Sequence, residues 1–242
     1  MAQNIYDNDE FFAGYAQLPR SQKGLDGAPE WPSLRAMLPE LRGRKVLDLG
    51  CGYGWFCRWA REQGAAKVIG LDVSEKMLAR ARKDTPDTAI TYAVSDLDTA
   101  ELAGASFDLI YSSLTFHYIA DLERLLRQIH DALIPGGRFV FSAEHPIYTA
   151  PIEPGWSTTR IGGKCWPVDR YLVEGPRSRD WLAKGVVKYH RTLGTWVNTL
   201  LRVGFEIVAL DEFRPSDAQI AALPSLAEEL ERPMFFLMSV RR

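Results

Sequence analysis

"LDLGCGYGWFCRWA" (residues 47–60) sets Gly50, Gly52 and Gly54 at alternate positions, straight after an apolar run that carries Asp48. Glycine there lets the backbone turn sharply and lets a ligand lie against it. The run before the glycines, "KVLDLG" (45–50), reads as a strand. Four more of its kind follow: "KVIGLDV" (67–73), "ITYAVSD" (90–96), "FDLIYSS" (107–113) and "RFVFSAE" (138–144). All are rich in the β-branched, aliphatic and aromatic residues that suit strands. Amphipathic stretches lie between them. From Asp121, the residues Leu122, Leu125, Leu126, Ile129 and Leu133 share one helical face, and "PGG" (135–137) stops that helix. Ser74 is placed to cap "EKMLARARKD" (75–84), which ends before Pro86. The alternation predicts a doubly wound α/β fold with a mostly parallel sheet. Ligands of such sheets bind beyond the carboxyl ends of the strands.

Bulk properties narrow the function. The chain has 242 residues, 46% hydrophobic and 25% charged, which suits one α/β domain with an insertion. A net charge of −2 gives no global field toward nucleic acid or a membrane surface. Cys51, Cys57 and Cys165 form no CxxC pair and have no His at metal-ligand spacing, so reduced thiols in a cytoplasmic protein and no metal site are expected. The opening "MAQNIYDNDEFF" carries acids and reads as no signal peptide. Apolar stretches such as "MFFLMSV" (234–240) are far too short to span a bilayer.

Three ligands compete for the glycine turn. A P-loop needs Lys followed by Ser or Thr, which is missing. A dinucleotide site needs a third glycine where this chain has the bulky Trp55. Asp48 would also repel a pyrophosphate, whereas it suits a ligand bearing an ammonium and a sulfonium. Asp72 lies 22 residues after Gly50, where a carboxylate accepts ribose hydroxyls. A simple helix-start cap shared with Ser74 is the alternative role. Asp96, after the third strand, suits an exocyclic adenine amine, and Leu97 suits a base face, although Asp after a strand is also a common turn residue.

With these residues in place, the chain resembles the class I S-adenosylmethionine-dependent methyltransferases of the small-molecule type. "VLDLGCGYG" is similar to the family's first motif and "VIGLDVSEKML" to its second. "AVSDL" resembles its adenine motif, and "FDLIYSSLTFHYI" and "LIPGGRFVFS" its fourth and fifth strands. The resemblance covers residues 40–145 and resumes at 190–210 and in "PMFFLMSVRR". It implies a seven-stranded sheet with helices on both faces, an antiparallel last strand and a lid insertion after strand five. It also implies one domain over 1–242: a helical cap (1–35), a cofactor core (36–145), the lid (146–186) and a C-terminal part (187–242). The cofactor implied is S-adenosylmethionine, with S-adenosylhomocysteine as product. The loop Asp48, Gly50, Cys51, Gly52 is then expected to hold the methionine part, and Asp72 the ribose. Val73, Met77, Ser95, Asp96 and Leu97 are expected around the adenine, and Ser113 to offer a carbonyl to the amino group. Tyr53 and Trp55 are expected to point away. The motifs do not name the acceptor, and a non-catalytic sensor on the same fold is the alternative.

In-line methyl transfer is served by positioning, exclusion of water and, for a protonated acceptor, a base. The candidates are His145 after strand five, with Glu144 to orient it, then His190 and His117. Each is also placed for a structural turn or helix start. The segment 151–191 holds eight Lys and Arg against four Asp and Glu, with Trp156, Trp166 and Trp181, which suits a small aromatic or anionic acceptor. An ordinary amphipathic lid with a solvated charged face is the commoner source of such a pattern. Nothing in the sequence fixes the oligomeric state.

Overall fold

The computed structural model describes residues 3–102, 104 and 106–242. Three short helices come first: α1 (Asp9–Tyr15), α2 (Pro19–Gln22) and α3 (Trp31–Met37). Then strands and helices alternate: β1 (Lys45–Leu49), α4 (Trp55–Glu62), β2 (Lys67–Asp72), α5 (Glu75–Lys83), β3 (Ile90–Val94), β4 (Phe107–Ser113), α6 (Leu122–Ala132) and β5 (Leu133–Glu144). After α7 (Pro146–Thr149) come two hairpins, a minimal one, β6 (Ser157–Thr158) with β7 (Lys164–Cys165), and a longer one, β8 (Gly175–Trp181) with β9 (Ala183–His190). The chain closes with α8 (Leu193–Val203), β10 (Glu206–Glu212), α9 (Asp217–Ala222) and β11 (Phe235–Arg241).

The main sheet has seven strands in the order β10-β11-β5-β4-β1-β2-β3. β3, β2, β1, β4 and β5 pair in parallel, and β11 runs antiparallel to both β5 and β10. Both faces are covered, so the strands carry near-continuous apolar runs, and the period of two sorts residues between two cores. Leu47, Leu49, Phe139 and Phe141 face α6 and α8, meeting Leu125, Leu126, Ile129, Trp196 and Leu200. Val46, Val68, Leu109 and Val140 face the other way, onto Trp31, Leu34, Phe56 and Ala60. Burying each of these side chains contributes on the order of 1.5–3 kcal/mol.

Two boundaries differ from the sequence reading. α6 ends at Ala132, because Leu133 takes an extended conformation and pairs with Phe107 as the start of β5. A shift in register between Phe107 and Leu109 absorbs the extra residues. The second arm of the β8–β9 hairpin runs to His190, past the expected end of the lid at 186. The cap on α5 is as read: Ser74 Oγ accepts from Met77 N at 3.1 Å. Among the described residues no helix is long and apolar enough to cross a membrane, and no cluster of three His, Cys, Asp or Glu side chains is placed to hold a metal ion.

Candidate active site

A cavity of about 490 Å³ opens at the carboxyl ends of β1, β2, β3, β4 and β5. Its first end is the glycine loop. Backbone N–H groups of Gly50 and Cys51 donate to Leu71 O at 2.7 and 3.0 Å, which pins the loop to β2. Gly50 and Gly52 sit at φ +77° and +51°, a region other residues rarely enter. A Cβ on Gly50 would fall 2.0 Å from Thr115 Oγ1, whereas one on Gly52 would meet nothing within 4 Å. Gly50 is therefore needed for packing and Gly52 keeps an open face.

Two carboxylates flank this loop. Asp48 is 2% exposed, and its neighbour is the Cys57 thiol, which donates to Oδ2 at 3.3 Å. Burial, with Asp72 adding to it, raises the Asp48 carboxyl to about 7 against the thiol's opposing hydrogen bond. Asp72 accepts from Gly52 N at 2.8 Å and from Ser74 N at 2.9 Å, yet burial lifts it to about 6. Its carbonyl takes Ser95 N at 2.9 Å, and Asp96 Oδ1 takes Asp98 N at 3.0 Å. Every residue expected to hold the donor lines the cavity: Asp48, Gly50, Cys51, Gly52, Asp72, Val73, Met77, Ser95, Asp96, Leu97 and Ser113. Tyr53 and Trp55 line it too, against expectation. The N-terminal segment explains this: Trp55 lies on Gly24, and Tyr53 packs edge-on against Phe12 and Tyr15.

The second end lies beyond β4 and β5. β4 leaves through Leu114, held at φ +53° with its N–H on Ser142 O and Oγ at 3.0 and 3.2 Å. A leucine in that region stores roughly 1–3 kcal/mol of strain, a common mark of functional turns. Here His117, Glu144, Lys188, Tyr118, Tyr6, Tyr148 and Trp181 line the space, with Arg20 and Glu30 on another wall. Glu144 N donates to His117 Nδ1 at 3.4 Å, and Glu144 Oε1 lies 2.5 Å from Lys188 Nζ. Burial pulls His117 down to about 4, with Lys188 and Arg20 acting in the same direction against Glu144, so the ring is neutral at pH 7. Burial pushes Glu144 up, but His117 and Lys188 outweigh it and hold the carboxyl below its ordinary value.

The other two candidate histidines are elsewhere. His145 Nδ1 accepts from Ile147 N at 3.0 Å, capping α7, and Nε2 pairs with Glu212 at 2.7 Å. His190 is wholly buried, bonded to Thr149 Oγ1 and Tyr171 O, both at 2.8 Å. Neither lines the cavity, and each has both ring nitrogens occupied. Alternation along β5 is the reason for His145: the residue sent into the cavity is Glu144. That period was readable in "SAEH". Lys188 and Tyr6 carried no such signal, because hairpin and N-terminal segment reach the site only by tertiary packing.

That packing is specific. Gln3 Nε2 donates to Gly185 O and its Oε1 accepts from Val187 N, both at 2.9 Å, tying the segment to β9. Ser74 Oγ donates to Asp7 Oδ1 at 2.6 Å, tying it to α5. Phe11, fully buried, packs edge-on against Trp181.

A family model described as a methyltransferase domain matches residues 47–141. The solved structure of an S-adenosylmethionine dependent methyltransferase from Mesorhizobium loti is 65% identical, covers 90% of this chain and 100% of its own, and superposes with a TM-score of 0.88. An uncharacterized protein of Haemophilus influenzae is 39% identical over 217 residues, 86% of this chain and 85% of the other. A malonyl-[acyl-carrier protein] O-methyltransferase of Erwinia billingiae is 34% identical over 131 residues, 54% of this chain and 50% of that protein.

Proposed function

The chain belongs to the S-adenosylmethionine-dependent methyltransferases, and from that premise we propose that the cavity holds the methyl donor at the glycine-loop end and a small acceptor at the Glu144 end. The donor fits an observation made on the site itself. Among the described residues Asp48 is a buried carboxylate with no cationic partner, and burial, which raises its pKa, leaves its charge poorly stabilised in the free site. An ammonium or sulfonium supplies the missing cation. Asp48, Gly50, Cys51, Gly52 and the Ser113 carbonyl would hold the amino-acid part. Asp72, with lone pairs left on both oxygens, would take the ribose. Val73, Met77, Ser95, Asp96 and Leu97 would enclose the base. When bound, the donor supplies an electrophilic methyl group on sulfur.

The chain's own residues do the rest. The N-terminal segment and the β8–β9 hairpin contribute Tyr6, Trp181 and Lys188 to the second end, and the exclusion of water they would bring strengthens electrostatic contacts inside. His117 stays neutral, so it places no positive charge near a sulfonium. With Nδ1 occupied as an acceptor, its Nε2 carries the proton and serves as a donor. Leu114, in its strained turn, fixes the wall between the two ends.

The observation that carries this reading is that one cavity joins the expected donor residues to a second polar and aromatic end. A sensor has no need of that second end. The match to the Erwinia protein spans half of each chain, so its acceptor is not carried over. A metabolite screen coupled to S-adenosylhomocysteine release tests the reading. Release must require an added small molecule and must be lost in Asp72→Asn; release stimulated only by an acyl-carrier protein would count against a small free acceptor.

A further inference from the structure

We propose that the acceptor is elongated: its reacting group sits by His117 and Glu144, and an uncharged apolar extension lies across the ends of β11 and β10. The inference rests on the reading of this cavity as joined donor and acceptor sites.

The first observation is how far the cavity runs along the sheet. It does not stop at β5, for Phe235 at the start of β11 and Phe213 just past β10 line it too. β11 is antiparallel to both neighbours, so its first residue stands beside the last residue of β5. Phe235 pairs with Glu144, and Phe213 N donates to Phe235 O at 2.9 Å. Residues paired across antiparallel strands leave the sheet on the same face, so the Phe235 ring continues the wall that Glu144 begins. Adjacent strands lie about 4.8 Å apart, and the two steps from β5 to β10 therefore add about 10 Å of cavity.

The second observation is the chemistry of that arm. Met234, Leu226, Leu223 and Ala28 line it with the two phenylalanines. The carboxylates carried by the same segments are already satisfied. Glu30 accepts twice from Arg20, at 3.0 and 3.2 Å, and Glu229 accepts from Arg232 at 2.9 Å and from Met234 N at 2.6 Å. Arg20 is the cation on this side, 5.8 Å from the Phe235 ring centroid. A cationic extension would thus lose its water and find no free carboxylate, whereas an apolar one gains from burial. The third observation is that the arm is braced and open-ended. Gln219 Nε2 donates to Pro29 O at 2.7 Å, which ties α9 to the N-terminal segment. Leu223, at the start of the 3₁₀ helix Pro224–Leu230, lines the arm and is still 49% exposed. The apolar surface therefore continues to an opening.

The test titrates butanol, hexanol, octanol and dodecanol, each with a terminal hydroxyl, calorimetrically into the full chain saturated with S-adenosylhomocysteine. Affinity is expected to rise about four-fold for each methylene from butanol to octanol. Beyond octanol it is expected to level off, because about eight bonds of extended chain, at roughly 1.2 Å each, span the arm. An aminopentanol with the hydroxyl and the ammonium at opposite ends matches hexanol in length and is expected to bind at least about ten-fold weaker. Leu226→Trp fills the arm at a half-buried position. It is expected to erase the gain beyond hexanol and to keep S-adenosylhomocysteine affinity within about three-fold of the parent. Leu223→Asp changes an exposed residue that folding tolerates, and is expected to weaken octanol while leaving butanol unchanged. Affinity flat across the series, no binding by any alkanol, the aminopentanol as tight as hexanol, or a length dependence unchanged in both variants each overturns the proposal. Failure of the donor reading shows separately, as no binding of S-adenosylhomocysteine by the parent chain, and takes this proposal with it.

Discussion

The role proposed for Asp48 is in conflict with stability. Its carboxyl has an ordinary value of 3.8 and stands at about 7 in the folded chain. A carboxyl raised by folding binds its proton more tightly in the native state. Its cost is therefore absent below about pH 4, grows as pH rises, and is complete above about pH 7. The full shift corresponds to roughly 4 kcal/mol as an upper bound. Asp48→Asn is expected to raise the melting temperature of the ligand-free protein at pH 8 and to leave it nearly unchanged at pH 4. The same substitution is expected to weaken S-adenosylhomocysteine binding at pH 8 by a factor on the order of one hundred. For the parent chain, affinity should fall as pH drops below 7, by up to about ten-fold per pH unit, because Asp48 must give up its proton to meet the ligand's ammonium. An affinity flat from pH 5 to pH 8 would remove Asp48 from the site. The glycines divide in a similar way. Gly50→Ala meets Thr115 as well as a positive φ and should cost several kcal/mol in a denaturant titration. Gly52→Ala faces open space and should cost only about 1–2 kcal/mol, with its larger effect on ligand affinity.

At the scale of the element, what was legible in the sequence follows from how each element is built. Asp48 near the end of β1, Asp72 at the end of β2 and Asp96 just past β3 follow spacings that parallel crossovers impose, so the proposed donor end was readable from the strand ends and the motifs on them. β5 was readable as a strand, but its side-chain alternation decides between neighbours. Glu144 enters the cavity, and His145 turns to α7 and Glu212. The N-terminal cap and the lid were expected as coverings, but which of their side chains line the cavity was not readable, because their contacts join residues as distant as Gln3 and Val187. These two elements hold each other through Phe11, Val186 and Trp181. Phe11→Ala should remove roughly 3–5 kcal/mol of local packing. Amide exchange is then expected to quicken in residues 3–15 and 175–190 together, with β1, β4 and β5 unchanged. Acceleration confined to 3–15 would show that the two walls are independent.

The whole molecule places chemistry where the sheet lets it. Five parallel strands end on one edge, β11 and then β10 extend the sheet beyond β5, and the helices bury both faces, so the strand ends are the surface left free for a cavity. The sheet carries the residues proposed to hold the donor, and the walls proposed to contact the acceptor come from outside it. The measurement that tests the central claim most directly is calorimetric titration of the intact chain with S-adenosylmethionine, S-adenosylhomocysteine and NAD at pH 8, in parallel with Asp72→Asn. The two sulfur nucleosides are expected to bind at one site per chain, NAD not at all, and Asp72→Asn to lose most of the affinity. Binding of NAD without either nucleoside, or full affinity in Asp72→Asn, would contradict the placement of the donor against β1 and β2.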